Sequence, residues 1–163
     1  MNFQELYYRN PYLTTFEAEV CTCTPGPDSN TFYITLTQTL FYPEGGGQPS
    51  DRGVLSVLAD CSDRTCDERL CISCPDRTIP GETITVLDVQ DSDRGVLHVL
   101  PKPLNPGTKV CGKIDWSFRF PLMQNHTGEH IISGLANRKY GYENVGFHMS
   151  DVITLDLSGP LTW

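Results

Sequence analysis

Asn125-His126-Thr127-Gly128-Glu129-His130 is the stretch of this chain best suited to chemistry. Its two histidines lie four residues apart, about one turn on a helix, so both imidazoles leave the same face. Two rings so placed can reach one metal ion from one side, leaving the other side for remote ligands and a water. The same pair can also be two ordinary helix residues, one packed and one solvated. Three of the four histidines, His126, His130 and His148, fall in this C-terminal part.

A second stretch, Tyr42-Pro43-Glu44-Gly45-Gly46-Gly47-Gln48-Pro49-Ser50-Asp51-Arg52-Gly53, has no regular element compatible with three consecutive glycines between two prolines. Gly46 and Gly47 allow close approach of backbone to a ligand. Gln48 offers a donor and an acceptor on a stiffened segment. Asp51 is suited to anchoring the loop by accepting backbone N–H bonds. The loop lacks the Gly-Lys-Ser/Thr end of a phosphate-binding loop and opens no helix, which argues against a triphosphate. His126 to His130 also fits H-x-x-E-H, the inverted zinc-peptidase pattern, with Glu129 as the group that activates water. That reading leaves the glycine loop unexplained.

These residues need elements to hold them. At 163 residues the chain is long enough for one domain or two small ones. With 39% hydrophobic and 20% charged residues it reads as globular. No apolar run approaches the ~18 residues of a membrane span. MNFQELYYRN has no basic stretch leading into an apolar one, so it does not read as a secretory signal. A cytoplasmic protein with no membrane partner is expected. Seven cysteines cannot all pair within one chain, and in a cytosol they are thiols or metal ligands. A net charge of -8 disfavours general binding to the nucleic-acid backbone, although Arg119, Arg138 and Lys139 flank the histidine stretch.

Alternating residues predict strands at 16–24, 31–42, 54–59, 83–89, 95–100 and 108–116, separated by turn clusters, and hence a small β-barrel or sandwich. A helix follows, with Pro121 in its first turn, running to about Lys139. Leu122, Met123, Ile131, Ile132 and Leu135 form its apolar stripe. Two paired strands, 143–149 and 152–157, come last. The fold class is α+β, with a barrel over 1–115 and an α+β unit over 116–163. Trp116, Phe118 and Phe120 are expected to pack barrel against helix and bring Gln48 near His126 and His130. Cys61, Cys66, Cys71 and Cys74 either form a zinc knuckle or are loop thiols.

FYPEGGGQPSDRG, followed by DWSFRFPLMQNHTGEHIISG and then NVGFHMSD, resembles the alanyl-tRNA editing proteins of the AlaX type and the related editing domain of alanyl-tRNA synthetase. The resemblance runs from Leu6 to Trp163. It implies hydrolysis of mischarged tRNA-Ala, chiefly the seryl form, with Zn2+ as cofactor. It implies His126 and His130 as metal ligands and catalytic residues, and Gln48 as the residue beside the editing pocket. Gly46, Gly47, Asp51 and His148 are the further candidates for the substrate side; His148 reads equally well as a packed strand residue. The family's Cys-x3-His pair does not occur by Trp163. The expectation is therefore a piece of a longer protein, with little activity alone, or a chain that only binds tRNA.

Overall fold

The computed structural model describes residues 4–26, 28–60, 78–93, 95–149 and 153–161. The four cysteines of the suggested knuckle lie outside them. The architecture is α+β: a curled antiparallel sheet followed by one long helix and a hairpin. The chain opens with β1 (Gln4–Glu5) and one helical turn, α1 (Leu6–Arg9). Next come β2 (Thr15–Pro25), β3 (Phe32–Leu36), β4 (Gln38–Thr39), β5 (Gly53–Asp60), β6 (Thr78–Val86), β7 (Asp88–Gln90), β8 (Leu97–Leu100) and β9 (Lys109–Ile114). Seven of these form one sheet in the order β6-β5-β9-β2-β3-β8-β7. Contacts between β6 and β8 draw its ends together into a nearly closed barrel.

The alternation seen in the sequence fills this barrel. Val20, Ile34, Leu36, Leu55, Val89, Val96, Leu100 and Val110 are all fully buried inside it, with Phe41 at the centre. Burying one such side chain contributes about 1.5–3 kcal/mol. His98 lies among them, wholly buried. Its Nδ1 is 3.2 Å from the Ile34 carbonyl and must donate there, so Nε2 accepts from the Thr39 hydroxyl at 2.8 Å. The Thr39 oxygen in turn accepts from Phe41 N–H at 3.1 Å.

Three expected elements change. The strand over 31–42 divides at Thr37, which bonds back to Glu19 through both its backbone N–H and its hydroxyl oxygen. β4 then pairs in parallel with β1. The strand over 83–89 divides at Leu87, which is exposed while its N–H reaches the Val99 carbonyl. The strand expected to include Trp116 stops at Ile114, because Asp115 caps a helix. Its carboxylate accepts from the N–H groups of Ser117 and Phe118, at 3.1 and 3.3 Å.

That helix, α2 (Trp116–Tyr140), starts five residues before Pro121, so the proline sits in its second turn rather than its first. Gly141 ends it in the left-handed conformation, φ 72°. β10 (Asn144–Met149) and β11 (Ile153–Leu157) then pair antiparallel. The expected apolar stripe of α2 is not a core: Ile131, Ile132 and Leu135 are 58%, 55% and 60% exposed. The helix residues that are buried are Arg119, Glu129 and Ala136. Among the described residues, no helix is long and apolar enough to cross a membrane.

Candidate active site

The glycine loop is a built turn. Gly45 and Gln48 bond to each other both ways, N–H to O at 3.1 and 3.0 Å. Between them Gly46 and Gly47 have φ of +59° and +77°, the two positive angles of a tight hairpin turn. Side chains would collide here as well as strain. A Cβ on Gly47 would stand 2.5 Å from the Phe147 carbonyl oxygen, and one on Gly46 would stand 3.3 Å from His126 Cε1. The neck is closed by Asp51, whose N–H donates to the Tyr42 carbonyl at 2.9 Å and whose carboxylate accepts from Tyr42 N–H at 2.8 Å. Ser50 Oγ donates to Asp88 at 2.8 Å, tying the loop to β7.

Asp51 also joins loop to helix. It is buried and forms an ion pair with Arg119, which is buried too and donates weakly to the Leu40 carbonyl. Burial pushes the Asp51 carboxyl above its ordinary range against the pull of Arg119. Arg119 therefore belongs to the interior and not to a surface for phosphate. The aromatic residues expected to dock the helix lie at the margin. Trp116 stacks on Phe120 at 5.3 Å and meets Tyr12 at 6.0 Å, and Arg52 covers Phe118 at 4.1 Å.

With the helix so placed, Gln48 reaches His126, the juxtaposition expected from the sequence. His126 Nδ1 lies 2.9 Å from Gln48 Oε1. The amide oxygen only accepts, so Nδ1 carries the proton and Nε2 keeps its lone pair. One turn on, His130 Nδ1 lies 3.1 Å from Glu129 Oε2, a charge contact on a largely exposed ring. The two rings lie 4.9 Å apart and nearly parallel, 27° between planes. His126 is thus held through Nδ1 by an acceptor oxygen and offers Nε2, the arrangement outer-shell partners give metal-ligating histidines, and a carboxylate stands beside Nδ1 of His130. Burial, and after it the neighbouring His130, holds the His126 imidazole below its ordinary pKa, so it is neutral near pH 7. This donor set fits zinc, supplying two of the ligands a site needs.

Glu129 lies within 4.8 Å of both histidines, but it is not poised as a base. It is 5% exposed and its Oε1 accepts from Ser133 Oγ at 2.5 Å and Asn144 Nδ2 at 2.6 Å. The Ser133 bond first, and then the Asn144 bond, hold its carboxyl below the ordinary range. Asn144 is the first residue of β10, so Glu129 also fastens the hairpin to the helix. Strand alternation then turns Phe147 inward, its ring 5.9 Å from His126, while His148 is exposed on the other face. Phe147, Asn144 and Arg119 have no chemical signature in the sequence. Phe147 could have been found from the strand's parity, had one face of β10 been anchored first.

A cleft of about 310 Å³ opens in front of the histidines. Gln48, His126 and His130 line it together with Tyr7, Tyr8 and Tyr42.

Known proteins are similar to this chain in sequence. The chain is 35% identical to an alanine–tRNA ligase of Pyrobaculum neutrophilum over 85% of its length. It is 32% identical to the alanyl-tRNA editing protein Aarsd1-A of Xenopus laevis over 91%, and 28% identical to the alanyl-tRNA editing protein AlaX-L of Pyrococcus horikoshii over 98%. By sequence the chain is a homologue of the alanyl-tRNA editing proteins. It spans 13% of the length of that ligase, and 33% and 35% of the two editing proteins. No family model matches the chain. The homology covers both halves of the site, since loop and helix alike lie inside the stretch shared with the editing proteins.

Proposed function

We propose that the protein is a cytoplasmic editing hydrolase, which cleaves the ester joining a wrong amino acid, chiefly serine, to tRNA-Ala. The observation that carries the reading is the bond from His126 Nδ1 to Gln48 Oε1, which joins the glycine loop to a two-histidine metal face. His126 and His130 would hold zinc through Nε2. Zinc held there would supply Lewis acidity, lowering the pKa of a water toward 7 and polarising an ester carbonyl. Gln48 aims His126 with its oxygen and keeps amide N–H donors for the serine hydroxyl. A site that bonds this hydroxyl rejects alanine strongly, because alanine leaves the donor unpaired. Gly46 and Gly47 let the loop lie close against His126 and Phe147, so that they serve the substrate side by placing Gln48, and Asp51 closes the neck of the loop. The peptidase reading is weaker, since Glu129 is buried and engaged at both oxygens.

Two imidazoles are fewer than the three protein ligands of a catalytic zinc site. Residues 1–163 alone are expected to bind zinc weakly and to deacylate slowly. The test compares Ser-tRNA-Ala with Ala-tRNA-Ala, with zinc supplied, in the protein carrying these residues and in its His126→Ala/His130→Ala variant. Faster loss of serine, abolished in the variant, is the expected result. Equal deacylation of both substrates, or full activity in the variant, removes the reading.

A further inference from the structure

The tyrosines of the cleft have no part in the chemistry above, yet they are unusually arranged. Tyr7 is buried, with Tyr42 edge-on to it at 5.3 Å, and Tyr8 lies against Tyr7 at 4.7 Å. Tyr8 itself is 74% exposed. A large exposed ring thus leans on Tyr7, which Tyr42 backs in turn, and lines the same cleft as Gln48, His126 and His130. The turn bearing it is pinned by the pairing of β1 with β4 and by Asn10 N–H to the Leu6 carbonyl at 3.0 Å. The backbone that carries the ring is therefore anchored, and the ring has Tyr7 at its back.

We propose that Tyr8 stacks on the unpaired base of the terminal nucleoside that bears the ester, so that one cleft takes the ester at the histidines and the base at the tyrosine. This rests on the reading that the substrate is an aminoacyl-tRNA. The ester and the base hang from the same ribose. With the carbonyl at His126 and His130, the base has to lie elsewhere in the same cleft, which Tyr8 also lines. Stacking on aromatic side chains is how proteins take up unpaired RNA ends. It also matters more here than usual, because a net charge of -8 gives phosphate attraction little general weight.

The experiment measures binding of an RNA hairpin ending in CCA, and of the same hairpin without its last adenosine, to wild type, Tyr8→Phe, Tyr8→Leu and Tyr8→Ala. Tyr8→Leu keeps an apolar contact with Tyr7 but has no planar face, and a melting curve shows that each variant is folded. For wild type, removing the adenosine should weaken binding about tenfold. Tyr8→Ala and Tyr8→Leu should lose about as much on the complete hairpin, and nothing further when the adenosine is absent. Tyr8→Phe should stay within about twofold of wild type. Folded Tyr8→Leu that still distinguishes the two hairpins as wild type does would overturn the proposal. If wild type deacylates Ser-tRNA-Ala and Tyr8→Leu leaves its KM unchanged, stacking fails and the editing reading stands. If the protein carrying these residues, with zinc supplied, does not deacylate but binding of the adenosine depends on Tyr8, the editing reading fails and stacking stands.

Discussion

The barrel and the helix–hairpin unit that follows it are held by different forces. Inside the barrel, apolar side chains from β2, β3, β5, β6, β7, β8 and β9 fill one core around Phe41. Along α2 the buried side chains are an arginine, a glutamate and an alanine, and the apolar ones at 131, 132 and 135 face out. Hydrophobic burial is non-directional and sets how much is packed. Hydrogen bonds and ion pairs are directional, so they can set register. The site depends on register: Gln48 meets His126 because Arg119 meets Asp51, and His130 is aimed because Glu129 is itself held by Ser133 and Asn144.

The largest expected effect breaks the polar side of this contrast. Arg119→Met leaves the Asp51 carboxylate buried without its partner and should destabilise the protein by about 3–5 kcal/mol, read from a urea midpoint. Adding Asp51→Leu should recover most of that loss while leaving His126 unable to find Gln48. A double variant as unstable as the single one would show that the pair contributes stability and not register.

The barrel side is probed through His98, whose pKa burial depresses from 6.5 to about 4. A histidine depressed in the folded state binds its proton first in the unfolded chain. Stability present above pH 6.5 is therefore lost as pH falls toward 4, by on the order of 3 kcal/mol. A variant with Gln at this position, if folded, should lack that slope. An unchanged slope would assign the acid sensitivity elsewhere.

Smaller effects follow along the helix. Asp115→Ala removes the cap and should lower stability by about 1 kcal/mol. Replacing Ile131, Ile132 and Leu135 with Gln should change stability by less than about 0.5 kcal/mol per site, because these side chains are already exposed. A loss of several kcal/mol would mean that the face is covered in the protein and would erase the contrast with the barrel.

The same contrast governs what the sequence revealed. β9 was legible because its alternation holds, with Val110 and Ile114 inward, apolar and buried; β2 and β3 were legible through Phe16, Val20, Ile34 and Leu36, although Thr35 is buried as well. The histidine pair and Gln48 were legible by type and spacing. Arg119 was not, since a charged helix residue reads as surface until a buried carboxylate is placed beside it. The start of α2 was missed because Trp116 continued the alternation of β9, while the capping role of Asp115 outweighed it. Ile131, Ile132 and Leu135 fit a helical period that predicts burial, but nothing among the described residues packs on them. Tyr8 carried no signal in the sequence, and its place in the cleft depends on β1 pairing with β4, 34 residues on from Gln4 to Gln38, which no local window contains.

Two-dimensional nitrogen–proton spectra of the histidine rings, recorded with and without zinc, test the site most directly. His126 and His130 should both show the proton on Nδ1, and zinc should shift Nε2 of these two rings while His98 stays unchanged. Protonated Nε2 on either ring, or zinc shifts that spare both, would contradict a metal face aimed by Gln48 and Glu129.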